Sequence, residues 1–446
     1  MRTVTTSFSA VLLVVSLASC GSKNGGDDDD DGPDACVGRE CDVVDCDAMG
    51  KAPTTITGTV FAPNGTLPLY GINVYVPRSD PGPLIDGVTC DRCSTELLGG
   101  PVSKTTTDEA GNFTLENVPP GANIPLVMQS GKWRKQITIS NVPQCEQTTA
   151  PMTETRMPAD RSEGDIPKIA ITTGDADALE CLIRKFGIKD SEIAVDGDAR
   201  IHLYNGNGAN TIGATPMRNA TTLWDSLDNM KAYDILIFSC EGEQGAERKS
   251  QDAMNNVKAY ADIGGRVFMS HWHNIWIEGS TQDNDFDQAP PVWTQIAQWN
   301  NSGTTFTNPP DTIDEINNPG KGPAFATWML NVMGSPAGQR GVIPIGASTG
   351  KQTCTGVTPG RAERWVYWEN NGVEYPQNFQ FTTPNEAMPG DRCGKVVFSD
   401  MHVSGDSNST AGQPFPSQCS NDELTSQEKA LAFMLFDIAS CISVIF

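Results

Sequence analysis

The hydrophobic pattern of this chain changes period once, and the change dictates two differently built bodies in series. From residue 54 to 150, apolar and β-branched residues alternate with polar ones, as in Thr54-Thr55-Ile56-Thr57-Gly58-Thr59-Val60-Phe61 and Ile72-Asn73-Val74-Tyr75-Val76. Such alternation marks half-buried strands. From residue 167, near-continuous apolar runs alternate with stretches of helical spacing. Lys168 to Gly174, Tyr233 to Cys240, Arg266 to Ser270 and Lys395 to Ser399 read as buried strands. Ala176 to Phe186, Asn255 to Ile263 and Thr425 to Cys441 read as helices, the last opened by a capping box at Thr425 and Glu428. The expectation is a multidomain chain, an all-β sandwich followed by an α/β open parallel sheet. With 446 residues there is ample chain for both.

In the first body, Gly111 permits a tight hairpin, Phe113 and Leu115 point one way into a core, and Pro119-Pro120-Gly121 turns the chain. Asp108 is read as capping that turn. The order G-x-V, P-L-x-G-x-x-V-x-V, T-D-x-x-G-x-F-x-L and V-P-x-G resembles the carboxypeptidase-regulatory-like domain, a prealbumin-like β-sandwich. That resemblance implies a non-catalytic spacer or binding module over 54–150. An insert at 78–100, carrying Cys90 and Cys93, departs from it. Residues 151–166 read as a polar linker, leaving 167–446 for the α/β body with long inserts at 279–325 and 350–392. The tryptophans of those inserts, Trp293, Trp299, Trp328, Trp365 and Trp368, read as core or lid contacts.

The amino terminus carries a separate message. Arg2 precedes an apolar stretch, Ala10 to Leu17, too short to span a bilayer as a mature helix. It ends in Leu17-Ala18-Ser19-Cys20, which resembles the bacterial lipobox. The resemblance implies a signal peptide over 1–19, lipidation of Cys20, and a membrane partner reached through that lipid. Gly21 stands where the inner-membrane retention signal has Asp, so the resemblance implies the outer membrane. Residues 20–53 form an acidic tether. The run Asp27 to Asp31 reads as a solvated spacer rather than a calcium loop, whose ligands are interleaved with turn residues. Cys36, Cys41 and Cys46 follow it, with one expected to bond elsewhere.

Thirteen cysteines less Cys20 leave twelve, enough for six disulfides in an oxidising compartment. Cys90-Asp-Arg-Cys93 reads as a local disulfide or as two bridges to distant partners, with half a metal framework as the alternative. A net charge of −24 excludes nucleic-acid binding, which needs a basic patch. There is no P-loop and no G-x-G-x-x-G after a strand, so no cofactor is expected; Asn205-Gly206-Asn207-Gly208 reads as a flexible loop.

In an open parallel sheet, chemistry gathers at the carboxyl ends of the strands. Three such ends carry reactive residues: Ser239-Cys240-Glu241, Ser270-His271-Trp272-His273, and Ser399-Asp400-Met401-His402. The order Y-D-x-L, helix, G-G-x-V-F and late G-K-V-V-F-S-D-x-H resembles the class I glutamine-amidotransferase-like superfamily, closest to its trehalose-utilisation-type relatives. By that resemblance Ser270 falls near the nucleophile and His402 near the histidine position, although Trp272 stands where a Gly belongs. Four accounts follow: a Ser270–His402 hydrolytic pair oriented by Asp400 or Glu241; Cys240 as nucleophile; a metal held by His271, His273 and His402 with Asp400 or a Glu; or a fold whose polar residues bind a ligand or satisfy one another. His202 is placed in a loop and assigned no role. The leading reading is a non-catalytic envelope lipoprotein that binds or presents a glycan or protein ligand. The alternatives are an envelope hydrolase and a purely structural component.

Overall fold

The computed structural model describes residues 36–280, 289–300, 310–346, 350–403 and 411–442. The lipobox, Cys20 and the acidic run lie outside them. No helix among the described residues is long and apolar enough to cross a membrane.

Seven strands build the first body as two sheets. One has the order Asn112–Leu115, Thr55–Thr59, Gln147–Thr149. The other has the order Pro101–Thr106, Asn73–Pro77, Gly121–Ser130, Trp133–Val142. The alternation expected from sequence sets their inward faces: Phe113 and Leu115 are buried while Asn112 and Thr114 are exposed. Asp108 accepts the backbone N–H of Ala110 and of Asn112, as expected of a turn cap. Residues 151–166 are packed rather than free. The Met157 N–H donates to the Phe61 carbonyl oxygen at 2.8 Å, Arg134 pairs with Asp165, and Met157 and Ile166 enter the core.

The second body is an eleven-stranded mixed sheet. Across it run Arg218–Asn219, Ile201–Asn205, Ile169–Thr173, Ile235–Phe238, Arg266–Ser270 and Gly394–Ser399, all parallel. The sheet then continues antiparallel through Val373–Thr383, Glu363–Asn370, Asp311–Ile313 and Val342–Ile343. The parallel half matches the reading from sequence. The inserts expected as decoration instead supply three of the four antiparallel strands, Asp311–Ile313, Glu363–Asn370 and Val373–Thr383. His202 also differs from expectation: it sits within a strand, its Nδ1 2.8 Å from the Tyr233 hydroxyl.

Helices cover both faces. Gln251–Asp262 packs Met254 and Val257 on one face. Ser426–Ala439 lies on the other, opened by the expected capping box of Thr425 and Glu428. This second helix is apolar nearly all round, the mark of a helix with no solvent face. Its far side meets the sandwich, with Phe436 5.1 Å from Trp133 and Phe433 stacked 5.8 Å from Tyr70. At its carboxyl end the sandwich hairpin comes so close that a Cβ on Gly131, whose φ is +53°, would lie 1.8 Å from the Ala439 carbonyl oxygen. The described residues from Gly38 onward therefore form one compact body.

Disulfides bind the two halves. Cys90 joins Cys393, and Cys93 joins Cys441, so the C-x-x-C pair sends two bridges to distant partners. Cys46 joins Cys145 and Cys181 joins Cys419, while Cys36 and Cys41 are also disulfide-bonded. The ceiling of six bridges is not reached: Cys240 and Cys354 are buried and carry no disulfide. Replacing Cys93 and Cys441 together by Ser should lower unfolding stability by about 2–4 kcal/mol. The measurement is the chemical-denaturation midpoint under non-reducing conditions; an unchanged midpoint would show that packing alone holds the halves together.

Candidate functional site

Three adjacent parallel strands, Ile235–Phe238, Arg266–Ser270 and Gly394–Ser399, end side by side and deliver the predicted residues to one buried cluster. Ser270 is still in extended backbone, with φ −94° and ψ 129°. The left-handed turn falls on the next residue, His271, whose φ is +38°. A non-glycine residue held there costs on the order of 1–3 kcal/mol, which the surrounding packing must offset. In a nucleophile elbow the strained residue is the nucleophile itself. Here it is His271, so Ser270 does not stand in an elbow.

The Ser270 hydroxyl donates to Asp177 Oδ2 at 2.7 Å rather than to His402, which corrects the expected Ser270–His402 pair. Asp177 lies just past the strand Ile169–Thr173, and its other oxygen accepts the Val403 N–H at 3.0 Å. Glu241 orients no histidine of a dyad. Its Oε2 is held by Lys249 at 2.8 Å and Arg248 at 3.0 Å. Burial acts to raise the Glu241 carboxyl, but the Lys249 ammonium and its other neighbours outweigh it and hold the carboxyl below its ordinary range.

The two histidines after the Arg266–Ser270 strand diverge, because the strand passes into a 3₁₀ turn over His271–Asn274. His273 turns away from His271: its Nε2 faces the Ser239 carbonyl oxygen and its Nδ1 accepts the Trp276 indole N–H, both at 2.9 Å. Burial pushes it down to about 3. Both ring nitrogens are engaged, so the expected His271–His273–His402 metal set is corrected.

What meets His271 and His402 is Cys240. One ligand atom from each of these three buried residues lies within 4.8 Å of the other two. The Cys240 sulfur is 3.5 Å from His271 Nδ1, and the His271 and His402 rings are 5.0 Å apart. Tetrahedral zinc, with bonds of about 2.3 Å to sulfur and 2.0–2.1 Å to nitrogen, separates such a pair of ligands by about 3.5 Å. Burial, then the neighbouring His402 and Lys351, lowers the His271 pKa well below its ordinary value and keeps the ring neutral, the form that ligates. Its other nitrogen, Nε2, is 2.9 Å from Thr353 Oγ1 and 3.9 Å from Asp400 Oδ1. Outer partners of this kind fix a ligand's tautomer and ring orientation. The Cys–His–His donor set therefore fits a zinc-class ion.

Asp400 completes the cluster. Its Oδ2 accepts the backbone N–H groups of Thr353 and Cys354, while its Oδ1 has no hydrogen-bond partner among the described residues. Burial raises its pKa to about 6, against those two N–H bonds. Asp311 is buried nearby with neither oxygen hydrogen-bonded among the described residues, and burial followed by the Asp400 charge raises its pKa well above its ordinary value. The 205–208 loop is tied in rather than free: Asn207 Nδ2 donates to the Glu241 carbonyl at 2.9 Å.

Strand-end logic finds Ser270, His271, Asp400 and His402. It also applies to Asp177 and Cys240, which stand just past strand ends and were missed as hydrogen-bond acceptor and metal ligand. Nothing in sequence marks Thr353 or Asp311.

No protein-family model matches the chain, and no curated protein matches it. Among solved structures, a putative ThuA-like protein from Bacteroides uniformis aligns at 11% identity over 60% of this chain and 88% of its own, with a TM-score of 0.29. A GH42 β-galactosidase aligns at 10% identity over 64% of this chain and 32% of its own, also at 0.29. A chain of a type II cohesin–X-dockerin complex from Acetivibrio cellulolyticus aligns at 14% identity over 30% of this chain and 71% of its own, at 0.16. At these scores the likenesses carry no argument about the site. The α/β fold rests on the strand order itself.

Beside Asp177, Glu180 is wholly buried, accepts one bond from Gln418, and is raised from 4.5 to about 7 by burial. Between those values the folded chain keeps a proton that the unfolded chain has lost. Stability therefore falls as pH rises through that window, by about 3 kcal/mol in all. Glu180→Gln should remove that fall. Denaturant unfolding at pH 5 and pH 8 measures it, and an equal pH dependence in both proteins refutes the assignment.

Proposed function

We propose that this protein is a cell-envelope lipoprotein, anchored to the outer membrane through Cys20, whose α/β body holds a zinc-class ion on Cys240, His271 and His402. The convergence of those three ligand atoms is the observation that supports the metal. The reading also accounts for a buried thiol kept out of disulfide bonding in a chain where most cysteines are bridged. Three protein ligands leave a fourth position, the arrangement in which a bound ion polarises a carbonyl or lowers the pKa of water. The chemistry that fits is metal-assisted hydrolysis, with His271 oriented by Thr353 and with the Asp400 carboxylate as the adjacent group able to exchange a proton. The resemblance to carboxypeptidase-regulatory-like and amidotransferase-like domains supports the same division of labour: the sandwich presents, and the α/β body holds the site. Binding of a glycan or envelope protein by the sandwich belongs to this proposal.

A second reading has one observation in its favour. Cys240 and His271 also stand as a thiol–imidazole pair at 3.5 Å, the spacing of an activated nucleophile and its base. His402 separates the two readings, because only the metal requires it.

Elemental analysis of protein purified without chelators should find about one zinc-class ion per chain, lost in Cys240→Ser and in His402→Ala. Loss of p-nitrophenyl acetate hydrolysis in both variants accompanies it. Absence of metal as purified and after addition of zinc rejects the centre; hydrolysis that survives His402→Ala but not Cys240→Ser selects the thiol–imidazole pair. For the anchor, labelled palmitate should enter the wild-type chain and not Cys20→Ala; equal labelling of both would place the lipid elsewhere or nowhere.

A further inference from the structure

The insert over residues 78–100, which interrupts the sandwich pattern, encloses something. Between it, the sandwich sheet and the Ser426–Ala439 helix lies a cleft of about 680 Å³, within the range of small-molecule sites. The cleft shares no residue with the Cys240 cluster.

Its floor is aromatic. Tyr70, Trp328, Phe433 and Phe436 line it, with Trp328 5.3 Å from Phe433 and Tyr70 stacked on the same ring. Its rim is apolar and wet, since Ile85 is 75% exposed and Leu98 42% exposed. Folding alone gives no reason to gather large apolar groups in water at the mouth of a cleft.

The charges around it are the second observation. Four cations line the cleft. Lys132 is neutralised by Asp234, and Lys321 by Asp437, which Lys395 also holds. The other two, Arg92 and Lys104, have no carboxylate within ion-pair distance among the described residues. Among the described residues the Arg92 guanidinium reaches only the Cys393 sulfur, at 3.6 Å, and its buried Nε has no partner. Asp91 and Glu96 also line the cleft, and burial raises the Asp91 carboxyl toward its neutral form. Arg92, with its buried and unpartnered Nε, and Lys104 thus place positive charge beside the aromatic floor. An apolar floor asks for a hydrocarbon, and unpaired cations ask for an anion.

We infer that this cleft is a binding site for an amphipathic carboxylate, its hydrocarbon tail against Tyr70, Ile85 and Leu98 and its head group against Arg92 and Lys104. The 78–100 insert, pinned through Cys90 and Cys93, forms the lid wall of the site. The inference rests on none of the residues proposed to hold metal.

The test uses the full chain carrying Cys20→Ala, so that no attached lipid competes, and cis-parinaric acid as a fluorescent probe. Saturable binding of one probe per chain is expected. Arg92→Gln with Lys104→Gln should weaken it at least tenfold, and so should Leu98→Glu at the exposed rim, where folding is least at risk. The methyl ester of the probe, which lacks the charge, should bind at least tenfold more weakly than the acid. Non-saturable binding, or binding indifferent to all these variants, overturns the site. Equal affinity for acid and ester overturns the assigned ligand class.

Discussion

Everything in the compact body leans on the burial of one helix, Ser426–Ala439. Most of its residues are inaccessible to water, including Leu431, Phe433, Met434 and Ile438. Each fully buried large apolar side chain contributes about 1.5–3 kcal/mol relative to exposure. Sheet and sandwich receive that contribution from opposite sides of the same helix, so neither face is covered unless both bodies are in place. The charge at its last turn is handled in the same spirit. Asp437 is buried, and two ammonium groups, Lys321 from one segment and Lys395 from the sheet, keep it ionised, with its pKa held down to about 2 against the pull of burial. A desolvated carboxylate of this kind is tolerable only with such partners.

The sequence was most legible where one physical signal acts alone. Period-two alternation located the sandwich strands, and apolar runs located the parallel strands, because in both cases burial sets the pattern. The capping box at Thr425 was readable because it is local chemistry. The antiparallel half of the sheet was not: Glu363–Asn370 and Val373–Thr383 carry charged residues at exposed ends, and their pairing is set by contacts far along the chain. The candidate site was half legible for a related reason. A strand-end rule says which residues arrive, but not which way they face. His271 and His273 are two residues apart on a turn, and only the three-dimensional path sends the first to Cys240 and the second to Trp276. Thr353 reaches His271 from an insert, across 82 positions of sequence.

The cluster around His271 breaks several rules of an ordinary core at once. It holds a left-handed non-glycine residue, a thiol among imidazoles, and carboxyl oxygens without hydrogen-bond partners among the described residues. Departures from local consistency concentrate where function constrains structure. Here the left-handed residue and the thiol–imidazole contact fall within one line of strand ends.

The long reach of the disulfides has a consequence for how the chain is made. Cys90 and Cys93 find their partners 303 and 348 residues downstream. A chain that enters an oxidising space amino terminus first presents Cys145 and Cys181 well before Cys393 and Cys441 have arrived. Oxidation in order of appearance would therefore give the wrong pairs. Correct pairing in such a space calls either for thiols that wait or for shuffling of early bonds once the last helix is in place.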